Sequence, residues 1–329
     1  MLKRVETLID REEGLMNNLS AIAQGLAQLQ LSMDRLGKSP IKSDTERLPN
    51  NLHGLENGIA SPTRVDHLHS KLCTMEQFMT ESHRHWCDKM RQDLVWHRKQ
   101  WEFCYILQSL HQLGLLMPGK TGLGFGVGSE PIPAVLARLG CRIVATDMVE
   151  SDPSAEKWRA TGQYVGNLEE LNSKGICPPD QFRRLVSFRP VDMTAIPDDL
   201  VDFDFLWSAC ALEHLGSLAK GEEFVLQAMK CLKPGGVAVH TTEFNVSSDE
   251  QTFEDGSGVM YRKRDILRMQ KQLTIAGHSV APLDFNTGTG FLDNFVDYMP
   301  FRREPQPHLR LRLGGFTVTS IGLIIKKAG

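Results

Sequence analysis

The feature that most constrains this chain is the alternation that begins at Thr121 and continues almost to the end. Runs of β-type residues fall at 121 to 126, 142 to 147, 185 to 191, 203 to 208, 236 to 243, 279 to 285 and 317 to 326, with helical patterns between them. Strands interleaved with helices build a doubly wound α/β sheet of Rossmann-like type rather than a meander. Seven strands are expected.

The chemistry concentrates at the first strand-to-helix turn, Gly122-Leu-Gly-Phe-Gly-Val-Gly-Ser-Glu-Pro131. Glycines here let the backbone approach a ligand closely, because no Cβ intervenes and positive φ is accessible. Pro131 suits a first helical position, where its missing N–H costs nothing. Asp147 ends the next strand about 20 residues on, where a carboxylate accepts both hydrogen bonds of a ribose diol. Together these parts specify an adenosine-type ligand. The dinucleotide spacing G-x-G-x-x-G is not met, since the sixth position of a motif starting at Gly122, Gly124 or Gly126 is Val127, Ser129 or Pro131. A formal phosphate-loop match, Gly114-Leu-Leu-Met-Pro-Gly-Lys-Thr121, follows a helix and leads into a strand. That is the reverse of what phosphate binding needs, so we read it as accidental.

This segment resembles motif I of the class I S-adenosylmethionine-dependent methyltransferases, and the resemblance runs from about Trp101 to the C-terminus. The chain is similar in particular to bacterial methyltransferases of surface-glycan and secondary-metabolite pathways. The closing strands resemble the reversed last hairpin of that superfamily. The resemblance implies a cofactor site at Gly124, Gly126, Gly128, Glu130, Asp147, Met148, Asp192, Met193 and Ser208. Gly126 and Gly128 match the motif glycines, Asp147 the ribose-binding acid, and Asp192 with Met193 the adenine-holding pair. The segments Phe203-Asp-Phe-Leu-Trp-Ser-Ala-Cys-Ala-Leu-Glu-His214 and Leu232-Lys-Pro-Gly-Gly236 match strand four with its turn and the entry to strand five. Two departures stand out: Gly124 replaces the usual acid at the end of strand one, and Glu130 replaces the third glycine. Glu130 is therefore expected either to contact the methionyl ammonium group or merely to complement the helix dipole.

The implied reaction is in-line displacement on a sulfonium methyl, in which the protein supplies alignment, desolvation and, for a hydroxyl acceptor, a base. Ligands of open α/β sheets bind at the carboxyl ends of the strands, which directs attention to His214 and Glu243 as catalytic groups. His240, inside strand five, reads as a core histidine. Asn245, Tyr261, Arg262, Asp293 and His308 are expected to bind substrate. The last two lie in a long stretch, 286 to 315, which reads as a lid. No spacing there fixes a divalent metal, and none is expected.

Upstream, Val5, Leu19, Leu26 and Met33 form one heptad series, with Glu12 as its polar exception, and Leu8, Leu15, Ile22, Leu29 and Leu36 the other. So narrow a seam needs a partner helix, so residues 1 to 36 are expected to form a coiled coil that makes a homo-oligomer. A linker at 37 to 66, a helical lead-in at 67 to 116 and a catalytic domain at 117 to 329 complete the division. The formal net charge is −3 with no basic run, which argues against nucleic acid as partner. The seven cysteines lie far apart, without a CxxC pair or an evident zinc spacing. No apolar run reaches transmembrane length and the start lacks a signal-type core, so a cytoplasmic enzyme with a small-molecule or glycan acceptor is expected. A non-catalytic assembly module and a nicotinamide oxidoreductase are the competing readings.

Overall fold

The computed structural model describes residues 68–148, 167–299, 301 and 307–329, so the heptad segment and the linker lie outside the described residues. A nine-stranded sheet organises them, rather than the seven strands expected, because short strands in the stretch before the last one join its edge. In chain order its strands are β1 Thr121–Phe125, β2 Arg142–Asp147, β3 Val186–Pro190, β4 Phe203–Ala209, β5 Leu232–Asn245, β6 Ser279–Val280, β7 Val296–Tyr298, β8 Arg310–Leu313 and β9 Phe316–Lys326. Across the sheet the order is β7-β8-β9-β5-β4-β1-β2-β3, with β6 also pairing β9. Strands β1 to β5 are mutually parallel, whereas β9 runs antiparallel to β5.

Helices α1 Glu81–Lys89, α2 Arg98–Gln112, α3 Ile132–Arg138, α4 Pro179–Leu185, α5 Leu218–Ala228 and α6 Lys263–Ile275 accompany the sheet. Each buried strand carries apolar residues to both faces, as a parallel sheet demands. Phe205, Trp207 and Val239 join Leu107 of α2, Val135 of α3 and Phe182 of α4 on one side. Leu206 and Ala238 join Phe224 of α5 and Ile266 of α6 on the other. Helix α2 sits close to the sheet because β9 carries Gly322, where a Cβ would stand 2.1 Å from the Tyr105 ring. At the opposite edge of the strands, Asp204 accepts hydrogen bonds from the Thr121 N–H and hydroxyl, both at 2.9 Å, which ties β4 to β1.

Two expected elements differ. The lead-in at 67 to 116 is not one long helix. Thr80 caps α1 by accepting the His83 N–H at 3.2 Å, and Arg91, at φ 52°, follows its C-cap. His97 then starts α2 by accepting the Lys99 N–H at 3.1 Å. The run at 279 to 285 splits as well: after β6, Pro282 offers no N–H, and Leu283–Asp284 pair in parallel with Ser70–Lys71 instead. The hairpin β8–β9 and strand β7 pair near the start of β9, which lies beside the carboxyl end of β5. These additions therefore stand where an open α/β sheet binds its ligands. No helix among the described residues is long and apolar enough to cross a membrane.

Candidate active site

The glycine-rich turn leaves β1 with Gly126 at φ 58° and Gly128 at φ 46°, conformations that side chains rarely adopt. A Cβ on Gly126 would stand 2.8 Å from Ala211 and 3.5 Å from the Met193 sulfur. The bend is thus bordered by the turn after β4 and by the residue pair after β3. Asp147, at the tip of β2, points into it: its Oδ2 accepts the Gly128 N–H at 3.1 Å and its Oδ1 accepts the Met148 N–H at 2.8 Å. Asp192 is exposed beside Met193, with Oδ1 accepting from the Thr194 N–H and hydroxyl at 2.7 Å each.

Gly124 has a specific local cause. A Cβ there would meet the Trp207 ring at 2.4 Å and Val127 at 2.6 Å, so the indole occupies the space a side chain at this position needs. The Trp207 indole N–H in turn donates to Glu130 Oε1 at 2.6 Å. Glu130 is only 6% exposed, and burial pushes its carboxyl up to about 8 in spite of that hydrogen bond. A cavity of about 140 Å³ lined by Ser129, Glu130, Pro131 and Phe103 adjoins it.

A second polar group lies at the carboxyl ends of β4 and β5, under the first turn of α2. Arg98 donates to Glu102 at 3.0 Å and forms a very short ion pair with Glu243. Lys99 donates to the Ala209 carbonyl at 3.1 Å and pairs with Glu102 at 3.3 Å. Burial alone would raise the Glu102 carboxyl; the charges of Lys99 and Arg98, with hydrogen bonds from Ser320 and Cys210, bring it below its ordinary value. Cys210 sits at φ 50°, a strained conformation for a residue with a side chain, just where β4 ends. Arg98 Nε, Glu213 Oε1 and Thr241 Oγ1 are buried without hydrogen-bond partners, as is His240 Nε2 within the core.

Beside this network, His308 Nδ1 lies 2.7 Å from Asp297 Oδ2. Because the carboxylate accepts, Nδ1 carries the proton and the ring's lone pair is at Nε2. Burial lowers the His308 basicity more than Asp297 restores it, so the ring is held below its ordinary value. His97 stacks on it with centroids 4.4 Å apart. Burial, followed by the neighbouring His308, brings His97 down to about 3, and its Nδ1 accepts from Lys99, so both stacked rings are neutral. His214 stands in the turn after β4 and donates from Nδ1 to the Ser257 carbonyl at 2.8 Å.

Several residues expected from the sequence have other tasks. Ser208 is fully buried and bonds His240 Nδ1 at 2.8 Å, inside the core rather than at the cofactor bend. His240 is the core histidine it was read as, brought down to about 3 by burial. Asn245 caps the following loop, accepting from the Ser247 and Ser248 N–H groups at 3.0 and 3.1 Å. Tyr261 is buried, its hydroxyl 3.3 Å from the Leu218 carbonyl, and Arg262 pairs with Asp265 at 2.7 Å and Glu254 at 2.8 Å. Asp293 accepts the Met75 N–H at 2.8 Å and the Gly290 N–H at 3.0 Å. The partners of these four lie within the chain, in loops and helix starts. Glu243 reaches the site but is committed to Arg98. Of the expected acceptor-side residues, His214 and His308 are the histidines left at the strand ends. Sequence reasoning passed over His97, Arg98, Lys99 and Glu102, whose only signal was a cluster of charges at the start of a helix.

Residues 123–240 match the family model described as a methyltransferase domain, a span running from β1 into β5. No curated protein matches the chain. Among solved structures, the chain is similar to magnesium protoporphyrin IX methyltransferase from Synechocystis PCC 6803 with bound SAH, at 13% identity and TM-score 0.42, covering 77% of this chain and 97% of that one. It is also similar to the CcbJ methyltransferase from Streptomyces caelestis, at 13% identity and TM-score 0.38, covering 70% and 94% respectively.

Proposed function

Because residues 123–240 match a methyltransferase domain, we propose that the chain is a class I enzyme that transfers the methyl group of S-adenosylmethionine to a hydroxyl of a small polar metabolite or glycan. When bound, the cofactor supplies an electrophilic methyl on a sulfonium. The residues fit it: Gly126 and Gly128 line the bend, Asp147 faces the bend and would take the ribose diol, and Asp192 with Met193 would flank the adenine. Glu130 would receive the methionyl ammonium, presented by the Trp207 indole that fills the space beside Gly124. A cation there favours the ionised carboxyl, so binding near neutral pH would release the proton that burial retains.

The observation that carries the hydroxyl reading is the Asp297–His308 pair. An alcohol is a poor nucleophile until its proton is removed, and a neutral imidazole oriented by a carboxylate is suited to that removal. His308 Nε2 would take the acceptor proton while Asp297 stabilises the imidazolium. His214, anchored to Ser257, lies across the strand ends and would bind the acceptor. Glu243 acts as a positioning residue: it and Glu102 fix Arg98, which would face the acceptor's oxygen atoms.

Mass spectrometry across a panel of sugars, glycans, phenols and amines tests this. A gain of one methyl on hydroxyl acceptors, lost with His308→Asn, supports it; methylation restricted to amines or thiols rejects it. Self-association through residues 1 to 36 is part of the same proposal, and light scattering on a chain lacking residues 1 to 40 should report a smaller particle.

A further inference from the structure

Helices α1 and α2 face each other beside the sheet, and three soft donors meet between them. His83 and Cys87 stand four residues apart on α1, hence on one face, and Cys104 projects from α2 toward them. The His83 ring nitrogen and the two sulfurs lie within 4.8 Å of one another, and the residues are only 3%, 2% and 4% exposed. Tetrahedral zinc, with bonds of about 2.1 Å to nitrogen and about 2.3 Å to sulfur, spaces its ligand atoms roughly 3.5–3.8 Å apart. The observed His83 Nε2 to Cys104 Sγ distance of 3.9 Å is already close to that.

Ordinary hydrogen bonding accounts poorly for the cluster. The nearest oxygen to His83 Nε2 is Gln100 Oε1 at 3.4 Å, and that oxygen already accepts the Val95 N–H at 2.9 Å. The Cys104 sulfur lies 3.7 Å from the His83 carbonyl and 3.9 Å from His83 Nε2. We propose that His83, Cys87 and Cys104 form a binding site for a soft divalent cation of the zinc type, with Gln100 Oε1 as the nearest fourth donor.

Charge favours this assignment. Two thiolates and a neutral imidazole around a divalent cation sum to zero, which suits a site shut off from solvent. The cation would displace the thiol protons, so loading weakens as pH falls. A cavity of about 130 Å³ lined by Gln77, His83, Trp101, Cys104 and Tyr105 adjoins the cluster. A bound cation would join α1 to α2, the helix whose first turn supplies Arg98, Lys99 and Glu102 to the strand ends. This inference does not depend on the acceptor chemistry.

The test is a cobalt titration of the full chain, stripped with chelator and held reduced. Equimolar uptake, with a thiolate-to-cobalt charge-transfer band and the visible bands of a tetrahedral ion, is expected, and zinc should abolish both. Cys87→Ser and Cys104→Ser should each weaken uptake by more than the roughly 10- to 100-fold that outer-sphere partners cost. The wild-type titration requires no variant to fold. A fully reduced wild-type chain that takes up no cobalt, or bands that persist in both serine variants, would overturn the proposal.

Discussion

Glu130 provides the sharpest quantitative expectation. Its carboxyl is pushed from an ordinary 4.5 to about 8, first by burial, against the opposing hydrogen bond from Trp207. Between those values the folded chain keeps a proton that the unfolded chain has released. The unfolded state then binds fewer protons, so the contribution of Glu130 to stability is greatest below about pH 4.5, falls as pH rises through the window, and levels off above about 8. At 1.36 kcal/mol per pH unit the ceiling is about 5 kcal/mol; a site that relaxes or admits water would show about half. Glu130→Gln keeps an oxygen for the Trp207 N–H and has no proton to lose, so its stability should lack this slope. Urea unfolding of both proteins at pH 5.5 and pH 8.5, at one ionic strength, isolates the effect, because every other titrating group is common to the two. The wild type should lose about 2 kcal/mol or more relative to the variant across that interval. Parallel losses would refute the buried, proton-retaining carboxyl.

Other outcomes follow from the same geometry. Arg98→Ala leaves Glu102 and Glu243 without their shared cation, and chemical denaturation should show a loss of about 3–5 kcal/mol. Gly322→Ala sets a Cβ 2.1 Å from the Tyr105 ring, so α2 must shift, at a cost of about 1–3 kcal/mol measurable as a lower Tm. For His308, whose basicity is lowered mainly by burial, the acid limb of the rate profile should fall below the usual histidine range, rise as the ring loses its proton, and vanish in His308→Asn.

Much of this architecture was legible in the sequence because it rests on local signals. Strand β2 matched its expected span, and β1, β3, β4 and β9 lay within a residue of theirs, since apolar runs between helices leave little choice. The bend was legible because glycine at positive φ beside a following carboxylate is a pattern in one dimension. The acceptor side was not, because it is assembled from tertiary contacts: His97 and His308 are 211 positions apart and meet by stacking. The internal partners of Tyr261 and Arg262 were hidden for a related reason. A polar residue near a strand end can face the cleft or hold a helix start, and only the position of Leu218 and Asp265 decides which. The lead-in helix was overextended because caps such as Thr80 and His97 interrupt a helical pattern without proline or glycine.

The central claim is that the glycine bend facing Asp147 grips S-adenosylmethionine, and calorimetric titration of that cofactor into the wild type and Asp147→Ala tests it most directly. Saturable equimolar binding by the wild type, abolished in a variant with an unchanged circular dichroism spectrum, is the predicted result. Equal affinity in the two proteins, or no binding by the wild type, would contradict it.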